Sequence, residues 1–196
     1  CGIIGILSNS EVTPTILDIL KRLEYRGYDS AGIATICGNE IKRQRAKGKI
    51  ENLVKLINKN ELPGKIGIGH TRWATHGIPS EDNAHPHHVG SVVGVHNGII
   101  ENFREIKEEL YKKGYQFYSE TDTEVIIQLC SYYIKQGLNN KDAFLKTIKR
   151  LEGAFALCLM FKDDETKLYV TKRSAPLLIG YGESDIYVGS DAVSLS

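Results

Sequence analysis

Residues 1–7, Cys-Gly-Ile-Ile-Gly-Ile-Leu, place a cysteine in front of a short apolar run. An isoleucine-rich run of this length predicts a buried β-strand. Cys1 is the first residue and the only methionine is Met160, so the sequence begins on a cysteine with a free α-amine. Two explanations remain open: the sequence starts there arbitrarily, or removal of an initiator methionine exposes a working thiol.

Outward from this strand, helices and strands alternate along the whole chain. Turn, capping and periodicity signals predict helices over 14–25, 50–57, 100–113, 121–136 and 141–150, and strands over 31–37, 40–46, 65–73, 91–96, 115–119, 154–161, 168–172 and 186–189. Residues 74–90 contain Pro, Gly, Asn and Asp without periodicity and predict a long loop, which in a compact domain is often functional.

The pattern predicts a single α+β domain over residues 1–196. Its central strands are apolar on both faces, which indicates sheets covered by other layers. The last residues, SDAVSLS, resemble the start of a helix. We therefore expect the domain to be truncated and a partner domain to be missing.

Composition excludes several classes of protein. Lys and Arg number 25 and Asp and Glu 24, a net charge of +1, so we expect no general affinity for nucleic acid or anionic lipid. No apolar run approaches the roughly 18 residues of a membrane span, and we expect no secretory signal. The four cysteines form no CxxC pair, which favours free thiols in a reducing, cytoplasmic compartment.

Cys1 has the features of a catalytic nucleophile. A thiolate is the reactive form of cysteine, and a base must take the thiol proton. A terminal cysteine carries its own base, because an α-amine has a reference pKa of about 7.7–8.0. Gly2 leaves the backbone beside the thiol open to a substrate.

Asn97 and Gly98 are candidates for stabilising an oxyanion. Asn-Gly is the strongest signal for a two-residue hairpin turn, but here a predicted strand precedes it and a predicted helix follows. An amide side chain and an open backbone N–H at such a junction can donate to a developing negative charge.

Arg72 and Asp122 form a second candidate pair. Arg72 ends an apolar strand, and its planar guanidinium fits a carboxylate. Asp122 lies in the predicted first turn of a helix, where an acid ordinarily stabilises the helix dipole. An Arg and an Asp beside a nucleophile fit the zwitterion of an amino acid.

The histidines do not predict a metal site. Four of the six lie in the predicted loop, but their spacing matches neither HExxH nor a Cys/His zinc pattern. The sequence also lacks GxSxG, a P-loop and a GxGxxG motif after a strand. We expect no metal and no cofactor.

Six blocks occur in order over residues 1–125: CGIIGI (1–6), YRGYDSAGIA (25–34), GHTRWATHG (69–77), NAHPH (83–87), VHNGIIEN (95–102) and SETDTEV (119–125). Together they resemble the N-terminal glutaminase domains of the glutamine–fructose-6-phosphate aminotransferase family, which are class II glutamine amidotransferases. The form RGYDSAG distinguishes this family from amidophosphoribosyltransferases and asparagine synthetases, which resemble the chain only at the level of the glutaminase.

The resemblance implies a fold and a set of site residues. The fold is that of the N-terminal nucleophile hydrolases, an αββα sandwich of two antiparallel sheets between helix layers. The implied site comprises the nucleophile Cys1, the oxyanion donors Asn97 and Gly98, the glutamine ligands Arg72 and Asp122, and the covering-loop residues Trp73, Thr75 and His76.

The resemblance also implies an activity and partners. The domain hydrolyses the side-chain amide of L-glutamine to glutamate and ammonia through a glutamyl thioester on Cys1. In the whole polypeptide, a C-terminal isomerase region uses the ammonia to convert fructose 6-phosphate to glucosamine 6-phosphate. The whole protein is expected to be a homodimer and the isolated domain a monomer. Two alternatives stay open: the glutaminase domain of another class II amidotransferase, and a non-catalytic ligand-binding module.

Overall fold

The computed structural model describes residues 1–73 and 77–190. Within these residues, ten strands occupy Gly2–Leu7 (β1), Ser30–Cys37 (β2), Glu40–Lys47 (β3), Ile66–Arg72 (β4), His87–Val89 (β5), Val92–Gly98 (β6), Phe155–Phe161 (β7), Asp164–Arg173 (β8), Leu178–Tyr181 (β9) and Ile186–Gly189 (β10). The described part of the chain also has five α-helices, which occupy Thr13–Arg22 (α1), Ile50–Lys59 (α2), Phe103–Lys112 (α3), Asp122–Lys135 (α4) and Asn140–Arg150 (α5), and Glu24–Arg26 forms a 3-10 turn.

The strands form two antiparallel sheets. The first has the order β3-β2-β4-β1-β10-β9 and the second the order β5-β6-β7-β8. Strand β1 lies inside the first sheet, where Gly2 pairs with Thr71 of β4 and Ile4 pairs with Gly189 of β10. This register brings Cys1, just before β1, to the end of β4.

Three apolar clusters separate four layers, as the alternation of side chains along a strand requires. Ile4 and Ile6 of β1 belong to the cluster beneath α1 and α2. Ile3 belongs to the cluster between the two sheets, together with Val95 of β6. The third cluster lies between the second sheet and helices α3, α4 and α5. The predicted αββα sandwich is therefore confirmed.

Most predicted elements are present, with differences at their ends. The helix predicted from Pro14 begins one residue earlier, with Val12 rather than Thr13 as its N-cap. The Thr13 hydroxyl instead donates to the carbonyl of Leu62. Of the capping box that Thr121 and Glu124 predict, one half is present at α4: the Thr121 hydroxyl accepts the N–H of Glu124, but the Thr121 N–H donates to the Ser119 hydroxyl rather than to Glu124.

The strand predicted over 115–119 is absent. The N–H groups of Tyr118 and Ser119 donate to the carboxylate of Glu124 on α4, so they are not available to a neighbouring strand. Two short strands were not predicted: β5 lies within the expected loop, and β9 pairs only with β10. Strand β8, Asp164–Arg173, is longer at both ends than the strand predicted over 168–172.

Within the described part of the chain, no helix is both long enough and apolar enough to span a bilayer.

We expect a methyl group at Gly32 to destabilise the fold. A Cβ at Gly32, on β2, would overlap the carbonyl oxygen of His85. Because both groups belong to the backbone, relieving this overlap requires a backbone shift. Gly32→Ala should therefore lower the free energy of unfolding in urea by about 1–3 kcal/mol, the usual cost of overpacking. Gly182→Ala is the matched control, because its Cβ would meet no atom nearer than 3.6 Å. Equal stability of the two variants would contradict the close approach.

Candidate active site

The Cys1 thiol lies at the end of the first sheet and is held by the backbone of Trp73. The Trp73 N–H donates to Cys1 Sγ at 3.1 Å, and the thiol reaches the Trp73 carbonyl at 3.5 Å. The pairing of β1 with β4 produces this contact, because Trp73 directly follows β4. Cys1 is exposed, so its sulfur is accessible to a substrate.

Asn97, which belongs to the second sheet, also lies next to Cys1. It lies on β6 and has the same parity as Val93 and Val95, so its side chain points into the space between the sheets. Its Nδ2 donates to the carbonyl oxygen of Cys1 at 3.3 Å. An amide donor therefore lies next to Cys1.

The ladder between β6 and β7 orients the amide of Gly98. The N–H of Ile99 donates to the carbonyl of Ala154, and hydrogen-bonded pairs alternate along an antiparallel ladder. The N–H of Gly98 therefore points away from β7, towards the β5 side. Strand β5 pairs with β6 only as far as Gly94, so it ends before Gly98.

Gly98 is also required by its backbone conformation. Its φ is +105°, which residues with a side chain rarely adopt. A Cβ there would overlap the carbonyl oxygen of Ala154. Since β6 runs through Asn97 and Gly98 and the next element is α3, the alternative of a two-residue hairpin turn is excluded.

Arg72 is buried at the end of β4. Its guanidinium donates to the carbonyls of Gly77 and Ile78 at 3.3 Å each and lies 3.7 Å from the carboxylate of Asp29. Burial lowers the pKa of Arg72, and Asp29 followed by Asp122 opposes that shift. A buried cation is thus fixed between loop backbone and the site.

Asp122 is the first residue of α4 and only 4% exposed. Its Oδ2 accepts the N–H of Ile100 at 2.9 Å. The carboxylate therefore connects α4 to the segment that follows β6, in addition to the ordinary role of an acid at a helix N-terminus.

These residues line one cavity of about 250 Å³. Its walls include six predicted site residues: Cys1, Arg72, Trp73, Asn97, Gly98 and Asp122. The other two predictions, Thr75 and His76, lie outside the described residues. A larger cavity of about 560 Å³ lies beyond the other end of β1, beside Leu7 and Cys37, and none of the predicted site residues lines it.

Buried histidines form the floor of the cavity. The rings of His70 and His85 stack, with their centroids 3.9 Å apart. The Thr123 hydroxyl lies 3.2 Å from His85 Nε2 and 2.8 Å from His96 Nδ1. Burial lowers the pKa of His70 to about 3 and lowers that of His85 well below its usual range. Both rings are therefore neutral at physiological pH.

Over residues 1–73 and 77–190, no three His, Cys, Asp or Glu side chains converge in a way that could hold a metal ion.

Several residues around the cavity were not assigned to the site by the sequence, among them Asp29, His70 and Thr123. Asp29 pairs with Arg72, while His70 and Thr123 line the cavity. His70 could have been found, because it continues the period-two pattern of Ile66 and Ile68 as a polar residue on a buried face. Asp29 and Thr123 carry no comparable signal of their own.

The comparison with protein families agrees with this geometry. A family model described as a glutamine amidotransferase domain matches residues 70–196, which is more than half of the chain. The chain is a member of the glutamine amidotransferase family. The predicted family is thereby confirmed.

Two similar proteins share one name. Proteins of Mesorhizobium japonicum and Gluconobacter oxydans, each named glutamine–fructose-6-phosphate aminotransferase [isomerizing], are 53% and 51% identical to it. Both alignments cover 100% of this chain and 32% of the relative. The chain thus spans about a third of the length of these proteins.

Solved structures share the fold of this amidotransferase. The glutamine phosphoribosylpyrophosphate amidotransferase of B. subtilis matches 100% of the chain and 43% of its own, with a TM-score of 0.86 and 28% identity. A glutamine aminotransferase class-II domain protein from Silicibacter pomeroyi matches 97% of this chain and 88% of its own, with a TM-score of 0.64 and 16% identity, and shows the fold alone. The fold class inferred from the resemblance is confirmed.

We expect the four thiols to differ in reactivity. Burial raises the pKa of Cys130 and of Cys158 to about 12, so both stay protonated and unreactive near neutral pH. Iodoacetamide at pH 8 should alkylate the exposed Cys1 and Cys37 in the folded protein, and all four cysteines after denaturation. Peptide mass spectrometry measures each site. Alkylation of Cys158 in the folded protein as fast as Cys37 would contradict the burial.

Proposed function

We propose that this domain hydrolyses the side-chain amide of L-glutamine through a covalent thioester on Cys1. The observation that carries the proposal is the cavity itself. It joins an exposed thiol, the Asn97 amide and the Gly98 N–H to a buried cation and a buried carboxylate, in a chain of the glutamine amidotransferase family.

In this proposal Arg72 and Asp122 select the amino-acid end of glutamine. Arg72 offers a guanidinium fork to the α-carboxylate, and Asp122 offers a carboxylate to the α-ammonium. The support is that both side chains are buried and line the same cavity as Cys1. Charges removed from water interact strongly, so a neutral molecule of similar size binds poorly there.

The first chemical step forms the thioester. The α-amine of Cys1 takes the thiol proton, directly or through one water, and the sulfur attacks the amide carbon. Negative charge develops on the carbonyl oxygen and is held by Asn97 Nδ2 and the Gly98 N–H. The carbon–nitrogen bond then breaks, and the terminal ammonium protonates the leaving nitrogen, which departs as ammonia.

The second step releases glutamate. The α-amine takes a proton from water, which adds to the thioester carbonyl, and the same two donors hold the second oxyanion. The carbon–sulfur bond breaks, and the thiolate recovers its proton from the terminal ammonium. His70 does not compete as a base at Nε2, because that nitrogen faces two acceptors, Asn97 Oδ1 and the His96 carbonyl, and carries the proton.

Trp73, Thr75 and His76 are proposed to cover bound glutamine. Trp73 lies at the mouth of the cavity with 58% of its surface exposed, which leaves its ring able to pack on a ligand. The roles of Thr75 and His76 rest on the sequence resemblance alone.

For the whole polypeptide we propose amination of fructose 6-phosphate to glucosamine 6-phosphate. The support is the 53% identity to a protein named glutamine–fructose-6-phosphate aminotransferase [isomerizing]. Residues 1–196 would be its glutaminase domain, and a C-terminal isomerase region would receive the ammonia. A homodimeric whole protein and a cytoplasmic location remain predictions from the sequence.

We expect catalysis to require both functional groups of Cys1. Cys1→Ala should abolish glutamate release from glutamine because the nucleophile is lost. Acetylation of the α-amine keeps the thiol and removes the base, so activity should fall by roughly 10²–10⁴, the usual contribution of general acid–base catalysis. Glutamate release measures activity, circular dichroism checks the fold, and the intact mass of the native protein shows whether Cys1 is its first residue.

Normal turnover by folded, acetylated protein would exclude the amine as the base. No turnover of glutamine by unmodified protein with a free Cys1 would favour the alternative of a ligand-binding module.

Asn97→Ala should lower kcat more than it raises KM. The interaction strengthens only as charge develops on the carbonyl oxygen, and losing one such donor typically costs about 10²–10³ in kcat. Steady-state kinetics of glutaminase activity measure both constants. An effect confined to KM would indicate that Asn97 binds the ground state instead.

A further inference from the structure

We propose that His70 is a positioning residue that fixes which end of the Asn97 amide faces the substrate. The inference rests on the proposed function, in which Asn97 donates to the oxyanion. The two ends of an amide are nearly equal in size but opposite in hydrogen bonding. With the amide rotated by half a turn, Oδ1 would face the reacting carbonyl and repel the developing charge.

The contacts of His70 permit only one orientation of that amide. His70 Nε2 lies 2.9 Å from Asn97 Oδ1 and 3.1 Å from the carbonyl oxygen of His96. A backbone carbonyl only accepts, so Nε2 carries the hydrogen and donates to both oxygens. At the other end, Asn97 Nδ2 donates to the Cys1 carbonyl. With the amide rotated, its NH2 group would face the His70 N–H, donor against donor. Its oxygen would face the Cys1 carbonyl, acceptor against acceptor.

His70 is itself held in place. It is 1% exposed and lies on β4, where it pairs with Ile3 of β1 and Gly32 of β2. Its ring stacks on His85 with an interplanar angle of 11°. Because burial keeps the ring neutral, its single hydrogen stays on Nε2, where both acceptors lie.

His85 is fixed in turn by the second sheet and by α4. Its Nδ1 accepts the N–H of His96 at 3.4 Å, so its hydrogen is on Nε2 and donates to the Thr123 hydroxyl. Thr123 then donates to His96 Nδ1 at 2.8 Å. This chain connects the ring beneath His70 to the residue that follows Asp122 on α4, so both sheets and α4 support the orientation of Asn97.

The test compares two substitutions of His70 in the full-length polypeptide. His70→Leu keeps much of the volume and removes the donor, and we expect kcat for glutamine hydrolysis to fall about 10- to 100-fold while KM changes less than about twofold. In His70→Gln the side-chain Nε2 can occupy nearly the position of the histidine Nε2, so most of kcat should return. Should His70→Leu fail to fold, His70→Asn replaces it, because its amide is too short to reach Asn97.

Alkylation of Cys1 by iodoacetamide separates positioning from a general disturbance. This reaction displaces iodide from a saturated carbon and forms no oxyanion, so its rate should be unchanged in His70→Leu. Parallel losses in alkylation and hydrolysis would overturn the inference, and so would an unchanged kcat.

A double substitution tests whether His70 acts through Asn97. In an Asn97→Ala background, His70→Leu should cause no further loss of kcat; a full additional loss would overturn the inference. If His70→Leu has no effect while Asn97→Ala lowers kcat, only the inference fails. If Asn97→Ala leaves kcat unchanged, the oxyanion assignment fails and the inference with it.

Discussion

The antiparallel pairing of β1 with β4 is the constraint on which the site depends. The register that sets Gly2 opposite Thr71 leaves Cys1 beside Trp73 and next to the end of β4, where Arg72 is buried. A slip of one residue would send every side chain of β1 to the opposite face. Ile3 and Ile4 face two different apolar clusters, so the core itself specifies the register that places the thiol.

The second sheet contributes Asn97 to the candidate site. Val93, Val95 and Asn97 alternate along β6 on the face that meets the first sheet, and the first two belong to its apolar cluster. Asn97 continues that row where the cluster ends and the cavity begins. The polar site is therefore a continuation of the core: packing fixes the distance between the sheets, and that distance brings the Asn97 amide within reach of Cys1.

The sequence predicted the longer elements of the fold better than the short strands. Apolar runs located strands of both sheets, whereas β5 and β9 were missed although each pairs with the next strand along the chain, because segments of three and four residues are too short to show a strand pattern. The segment 115–119 is the opposite case, because a strand is predicted there and is absent. Its composition favours a strand, yet the carboxylate of Glu124 accepts its N–H groups and holds it against α4. A tertiary contact here overrides local preference.

The candidate site likewise contains residues that the sequence indicated and residues that it did not. Cys1, Asn97, Gly98 and Arg72 stand out because their residue types are unusual at the ends of predicted strands, or directly after them. His70 and Asp29 contact Asn97 and Arg72 across the fold, and a partner 27 or more positions away is not visible in a local pattern. Such supporting contacts become apparent only once the strands are in register.

The shortness of β5 has a consequence for the amides along β6. On that side of β6, Gly94 and Val92 are opposite β5, the N–H of His96 is satisfied by the ring of His85, and the N–H of Gly98 comes next. Pro86 precedes β5 and has no N–H to offer a ladder. A longer edge strand would claim the Gly98 amide for backbone pairing. Extension of the sheet and the proposed oxyanion role of Gly98 would thus compete for one N–H group, and the length of a three-residue strand decides the competition.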